Sequence, residues 1–223
     1  MRGHQYKSRL DAKSAADGIK LANENALALL EDAQLLFDNQ RYERSVALSI
    51  LSIEESGKPS IIRAIILTDD PKELKKEWQN YRKHTEKNAS WILPDLVSKG
   101  ASKLEELRPL FDKNSDHNQT LDNLKQLSFY TDVFSSKKWS TPKKVADKEI
   151  AESILKVAKI MSQKSDNGLD SIKGLELWIK HLKPIWKQEM FKMKEALINC
   201  YNEAEEIGII EKGKTKEMIN FLI

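Results

Sequence analysis

Ser14 to Phe37 reads SAADGIKLANENALALLEDAQLLF. Its apolar residues Ala15, Ile19, Ala22, Ala26, Leu29, Leu30, Ala33, Leu36 and Phe37 step by three and four, so they share one face of a long helix. Asp38-Asn39-Gln40 predicts a turn into a second helix, Tyr42 to about Leu67, which carries Val46, Leu48, Ile50, Leu51, Ile53, Ile61, Ile62, Ile65 and Ile66. Pro59 lies inside that helix. A helix-interior proline loses one hydrogen bond and crowds the carbonyl four residues back, here Glu55, at a cost of about 3 kcal/mol, which predicts a kink over residues 55–59. Gly57, beside it, leaves room for the backbone of a neighbouring helix to come close.

Working outward, Asp70-Pro71-Lys72-Glu73 is a helix start, with Asp as N-cap, Pro at the first helical position and Glu at the third. The helix it opens is predicted to run to about Trp91, burying Leu74, Trp78, Tyr81, His84 or Thr85, Asn88 and Trp91. Helical patterning returns at 101–111 and 119–129. Tyr130 to Ser140 reads as a long loop or hairpin, Thr141-Pro142 as the start of a helix to about Gln163, and Asp166-Asn167-Gly168 as its end. A last helical region from Leu169 to about Ile207 is divided by Pro184, and 208–213 separates a short C-terminal segment. No strand run of convincing length and no internal repeat is present. The predicted fold is an all-α antiparallel helical bundle, with a core over 1–140 and C-terminal helices over 141–223 that pack on it or extend it.

Composition fits that fold and removes several function classes. The 223 residues are 40% apolar and 32% charged with only 8 Gly and 6 Pro, which excludes fibrous and low-complexity chains. The formal charge of +3 permits nucleic-acid binding without requiring it. A single cysteine, Cys200, forms no internal disulfide, and a charged N-terminus without an apolar run predicts no signal peptide and no membrane anchor. A cytoplasmic location is expected. His4, His84, His117 and His181 fall into no HxxxH, HExxH or ExxH pattern, so no metal is expected. Phosphate-cradling and dinucleotide glycine loops and the nucleophile elbow are missing too, so no cofactor is expected.

Three segments are left to carry chemistry. The first is Asn80-Tyr81-Arg82-Lys83-His84-Thr85-Glu86-Lys87-Asn88. At about 100° per residue, His84 shares a side with Tyr81, Lys87 and Asn88 and lies close to Asn80, whereas Arg82 points away. A histidine beside cationic donors suits metal-independent RNA cleavage, in which imidazole moves the proton and the cation steadies the charged phosphorane. The same residues also read as a solvated face with an Arg82–Glu86 pair. The second segment is Ser52-Ile53-Glu54-Glu55-Ser56-Gly57-Lys58-Pro59, in which Glu54, Glu55 and Lys58 are either polar groups aimed at the His84 helix or a surface ion pair. The third, Tyr130 to Pro142, mixes Tyr130, Phe134 and Trp139 with Lys137 and Lys138, as base-stacking loops do and as loops pinned to a bundle by aromatics also do. His117 is expected in a polar loop, and His181 in packing or at the surface.

Together, ALALLEDAQLL (26–36), Arg41-Tyr42, SVALSILSIEESGK (45–58), the His84-x-x-Lys87 element, LKQLSFYTD (124–132) and KKWSTP (137–142) resemble the AbiV abortive-infection family of the HEPN superfamily, over roughly residues 12–165. The resemblance implies an all-α bundle that forms a homodimer with its active-site helices facing. It also implies bacterial antiphage defence through RNA cleavage or translation arrest without a metal. It makes His84 the acid/base, Lys87 and Arg82 the phosphate stabilisers, and Glu54, Glu55 and Lys58 a supporting polar cluster. Asn80, Tyr81, Lys83, Asn88, Tyr130, Lys138 and Trp139 become candidate RNA contacts. Expected partners are RNA (tRNA, mRNA or ribosome-associated) and a phage protein as activator. HEPN ribonucleases usually carry Arg and a polar residue five and four before the histidine; here Gln79 and Asn80 stand there. That departure supports an alternative, a non-catalytic module that inhibits translation or sequesters a phage protein.

Overall fold

The computed structural model describes residues 5–112, 115–133, 138–163 and 168–222. Helices α1 (Ala12–Asp38) and α2 (Tyr42–Leu67) form the central antiparallel pair. Their contact is close because small residues line it: Ala15, Ala22, Ala26 and Ala33 of α1 and Ser45, Ser49 and Ser52 of α2 are all buried. Two of those serines donate to carbonyls across the pair, Ser45 to Ala33 at 2.8 Å and Ser52 to Ala26 at 2.7 Å. These bonds satisfy hydroxyls that would otherwise be costly to bury.

Helix α2 continues through Pro59, so the proline predicted to kink the helix does not end it. The four isoleucines beyond it, Ile61, Ile62, Ile65 and Ile66, are all buried. At roughly 1.5–3 kcal/mol for each fully buried side chain, they outweigh the proline's cost of about 3 kcal/mol.

Helix α3 (Pro71–Arg82) opens as the sequence predicts: the Asp70 carboxylate accepts from the backbone N–H groups of Lys72 and Glu73, both at 2.9 Å. It does not reach Trp91. Lys83 is extended (φ −80°, ψ 134°) and a separate turn, α4 (His84–Lys87), follows. Then come α5 (Leu93–Ser98), a 3-10 helix (Leu104–Phe111) and α6 (His117–Phe129). A two-stranded antiparallel ribbon pairs β1 (Asp132–Val133) with β2 (Trp139–Ser140), so the segment predicted as a loop or hairpin is a hairpin. Its residues Phe134 to Lys137, like His4, Asp166 and Asn167, lie outside the described residues.

The helix predicted from Thr141-Pro142 is two: α7 (Pro142–Val145) and α8 (Lys148–Ser162). Asp147 divides them, because its carboxylate accepts from the Ile150 N–H and starts α8 afresh. Pro184 does divide the last region, into α9 (Ile172–Leu182) and α10 (Met190–Glu206). Gly208, at φ 73°, ends α10 in the left-handed conformation that glycine adopts at least cost, and α11 (Lys214–Leu222) closes the chain. The fold is all-α.

Among the described residues, three apolar clusters lie along the α1/α2 pair, the smallest joining Ile61 and Ile65 of α2 to Leu74 and Trp78 of α3. One joins Val46, Ile50 and Ile53 to Leu121 of α6 and to Ala151, Ile154 and Ala158 of α8. Another joins Ala15, Ile19, Ile62 and Ile66 to Leu175 of α9 and to Cys200 and Ala204 of α10. Burial pushes the Cys200 thiol from 9.0 up to about 12. Between those values the unfolded chain has lost a proton that the folded protein keeps, so this thiol lowers stability as pH rises through that window. Cys200→Ala is therefore expected to flatten the alkaline fall in denaturant midpoint. A thiol reagent at pH 8 is expected to label Cys200 only once the protein is unfolded.

Candidate active site

The break at Lys83 positions the site. With α3 ended, α4 turns back on α2, and the carbonyl oxygen of Lys87 comes so close to Gly57 that a Cβ built there would lie 2.1 Å from it. This is the close approach the sequence predicts at Gly57, and no side chain fits it. Gly57→Ala is expected to cost about 1–3 kcal/mol through overpacking against backbone. Because α4 itself must shift, the same variant is expected to lose activity at His84, which thermal unfolding and an RNA-cleavage assay check together.

At this contact a carboxylate inside the bundle gathers three nitrogens. Glu54, 2% exposed, lies on the buried side of α2. His84 Nδ1 is 2.6 Å from its Oε2, the Lys87 ammonium 3.5 Å from the same oxygen, and the Lys125 ammonium of α6 2.5 Å from Oε1. Lys125 also meets Asp122 at 2.7 Å. Two carboxylates and two ammonium groups balance one another, which is what lets ionised groups persist with so little water. Burial holds the Lys87 ammonium below the ordinary lysine value; Glu54 and Glu55 oppose that fall and Lys58 adds to it.

The geometry also fixes the histidine tautomer. An ionised carboxylate only accepts, so Nδ1 carries the hydrogen, and in the neutral ring Nε2 carries the lone pair. The His84 side chain is 51% exposed while its Nδ1 edge meets the buried Glu54, so the basic nitrogen lies on the open edge. Alongside, Lys58 pairs with Glu55 at 2.6 Å and sits 5.3 Å from the centre of the Tyr81 ring.

The same cluster also contains groups able to ligate a metal ion. Glu54, His84 and Asp122 offer ligand atoms within 4.8 Å of one another. The Lys125 ammonium already bridges both carboxylates, so a cation would have to displace it. The donor set as folded fits an ammonium better than a metal.

A family model described as AbiV, of the HEPN type, matches residues 14–163. The chain belongs to the AbiV family of HEPN proteins. Neither curated proteins nor solved structures gave a significant match. The matched span ends just past α8 and takes in every member of the Glu54 cluster, and AbiV membership points to abortive infection of HEPN type.

Within this AbiV chain the predicted residues separate. Glu54, His84 and Lys87 meet directly, and Glu55, Lys58 and Tyr81 stand next to them. Arg82 does not join them: its guanidinium donates to the carbonyls of Trp78 at 2.9 Å and Tyr6 at 2.6 Å and lies over the Trp78 ring. Nor does it pair with Glu86, whose neighbour is Lys83 at 4.0 Å. Asn80 turns to Glu77 at 3.2 Å instead of to His84. Asn88 is 0% exposed, so as folded it cannot touch RNA; with α4 cut off from α3, its side has turned inward. Tyr130, Lys138 and Trp139 are exposed on the ribbon and its approach.

His117 begins α6 and is buried, where the sequence suggests a polar loop. Its Nε2 faces the Ala89 carbonyl at 3.3 Å and its own carbonyl accepts from Trp91 Nε1 at 3.1 Å, which ties the chain after α4 to α6. His181 pairs with Glu203 at 2.6 Å between α9 and α10. Lys125 is the member that sequence reading misses. Its signal is position: Leu121, Lys125 and Ser128 form the buried row of α6, a lysine where the spacing calls for an apolar residue.

Proposed function

We propose that this AbiV chain acts in bacterial antiphage defence as a homodimeric, metal-independent endoribonuclease. The observation that carries the reading is the His84 ring, held at Nδ1 by the buried Glu54 with Nε2 on its open edge. Nε2 takes the proton of an RNA 2′-hydroxyl, the 2′-oxygen bonds to phosphorus as the bond to the 5′-oxygen breaks, and the leaving oxygen takes up a proton. The products are a 2′,3′-cyclic phosphate and a 5′-hydroxyl. Glu54 keeps the tautomer and steadies the imidazolium that forms. Lys87, with Lys58 behind it, steadies charge on the phosphorane. Tyr81, Lys83 and the exposed Tyr130, Lys138 and Trp139 contact the strand. The RNA is tRNA, mRNA or ribosome-associated, and a phage protein is the activator.

A second reading draws on Gln79, which stands where HEPN ribonucleases carry arginine, and on Arg82, which is engaged by Tyr6 and Trp78. In it the chain inhibits translation or sequesters a phage protein without cleaving RNA. Mapping RNA ends in infected cells separates the two. New 5′-hydroxyl ends that depend on the protein support cleavage; protection from phage with unchanged RNA supports occupancy.

A further inference from the structure

Next to the Glu54 cluster is an aromatic hollow of which the reading above uses only Tyr81. It has a volume of about 400 Å³ and is lined by Tyr6, Leu10, Ser14, Gly18, Ile62, Trp78 and Tyr81. Tyr6 and Tyr81 each stand nearly perpendicular to Trp78, with ring centres 5.9 and 5.6 Å away. Tyr81 also receives the Lys58 ammonium, which ties the hollow to the site. Glu54, Lys58 and Ile62 follow one another at four-residue steps along α2. The hollow therefore begins about 12 Å from Glu54 along the helix axis, at 1.5 Å per residue.

Gly18 makes the hollow legible. It lies inside α1, where glycine is less favourable than alanine, and no tight contact requires it: an added Cβ would meet only the tip of Ile62, at 3.5 Å. The space it leaves opens into the hollow. Two cations lie over its rings, Lys58, itself paired with Glu55, over Tyr81 and Arg82 over Trp78. Arg82 reaches two carbonyls and that ring, and no carboxylate pairs with it among the described residues. Aromatic faces beside cations are the chemistry that holds an unstacked base and the phosphate attached to it.

We infer that this hollow takes one unstacked nucleobase of a single-stranded RNA whose neighbouring phosphate lies at Lys58 and Lys87. The inference rests on the ribonuclease reading above and adds to it the substrate class, an unpaired strand gripped by a base beside the scissile bond.

The test uses the full chain and two uncleavable probes: a 2′-O-methyl oligouridine and a fully abasic 2′-O-methyl strand of the same length. Wild type is expected to bind the base-bearing strand about tenfold tighter, the scale of one stacked base. Gly18→Leu fills the hollow and is expected to reduce that preference to near parity. Gly18→Ala leaves room and is expected to keep it while melting higher. Tyr6→Ala, at an exposed residue outside the helices, is expected to weaken the preference without loss of fold. A wild-type preference for the base-bearing strand in a folded Gly18→Leu protein overturns the inference. Cleavage of the matching 2′-hydroxyl strand is followed in parallel. A strand gripped through the hollow but never cut defeats the ribonuclease reading alone, and equal cutting at unchanged KM by wild type and Gly18→Leu defeats the hollow alone.

Discussion

Glu54→Gln is expected to lower stability by about 3–5 kcal/mol, the cost of removing one member of a buried ion pair. The amide is nearly the same shape, so no cavity forms. What it lacks is the charge that offsets Lys125 and Lys87, at 2.5 and 3.5 Å. Asp122 still meets Lys125, which keeps the loss nearer the lower end. For a chain of this size that corresponds to a melting point lower by roughly 10 °C. Pairing the substitution with Lys87→Met removes the ammonium whose ion pair was with Glu54, while keeping side-chain length, and is expected to restore part of the loss. Thermal and urea unfolding of the two single variants and the double variant check this. A Glu54→Gln protein that melts within two degrees of wild type would show that the cluster does not bear on stability as described.

His84→Ala is expected to behave the opposite way. Its ring is half exposed and contributes one hydrogen bond to Glu54, whose charge is already met by two lysines. Stability should change by no more than about 1 kcal/mol, the usual worth of one hydrogen bond. RNA cleavage, by contrast, should fall by about 10²–10⁴-fold, the range for losing a general acid–base group. RNA affinity should hold within a few fold, because Lys58, Lys87 and the aromatic residues remain. Single-turnover cleavage, equilibrium binding and melting on the same preparations separate the three quantities. A variant that fails to fold, or that cuts at the wild-type rate, contradicts the role assigned to His84.

These two residues also show how much of the site could be read from sequence. Glu54 and His84 were both visible, because an acidic pair inside an apolar helix and a lone histidine between cations stand out from their periodicity. The long helices were visible for the same reason, and the start of α3 was visible because Asp70, Pro71 and Glu73 carry local cap chemistry. The break at Lys83 was not. No glycine or proline marks it, and α4 is separated from α3 by contacts made elsewhere, to Glu54 and against Gly57. An unbroken helix would set Asn80 and Asn88 beside His84; in the fold Asn80 meets Glu77 and Asn88 lies in the core. Lys125 was hidden by the ordinary behaviour of lysine, which in a helix is nearly always solvated. Its partner lies 71 residues away, so only the packing of α6 on α2 reveals it.

In the mechanism proposed, His84, held by Glu54, moves the proton in RNA cleavage. This role is tested most directly by analysing the ends of RNA incubated with purified wild type and with His84→Ala in the presence of a chelator. Wild type is expected to give 2′,3′-cyclic phosphate and 5′-hydroxyl ends, and His84→Ala none above background. The same ends from both proteins, or no cleavage by wild type under conditions where it still protects cells from phage, would contradict it.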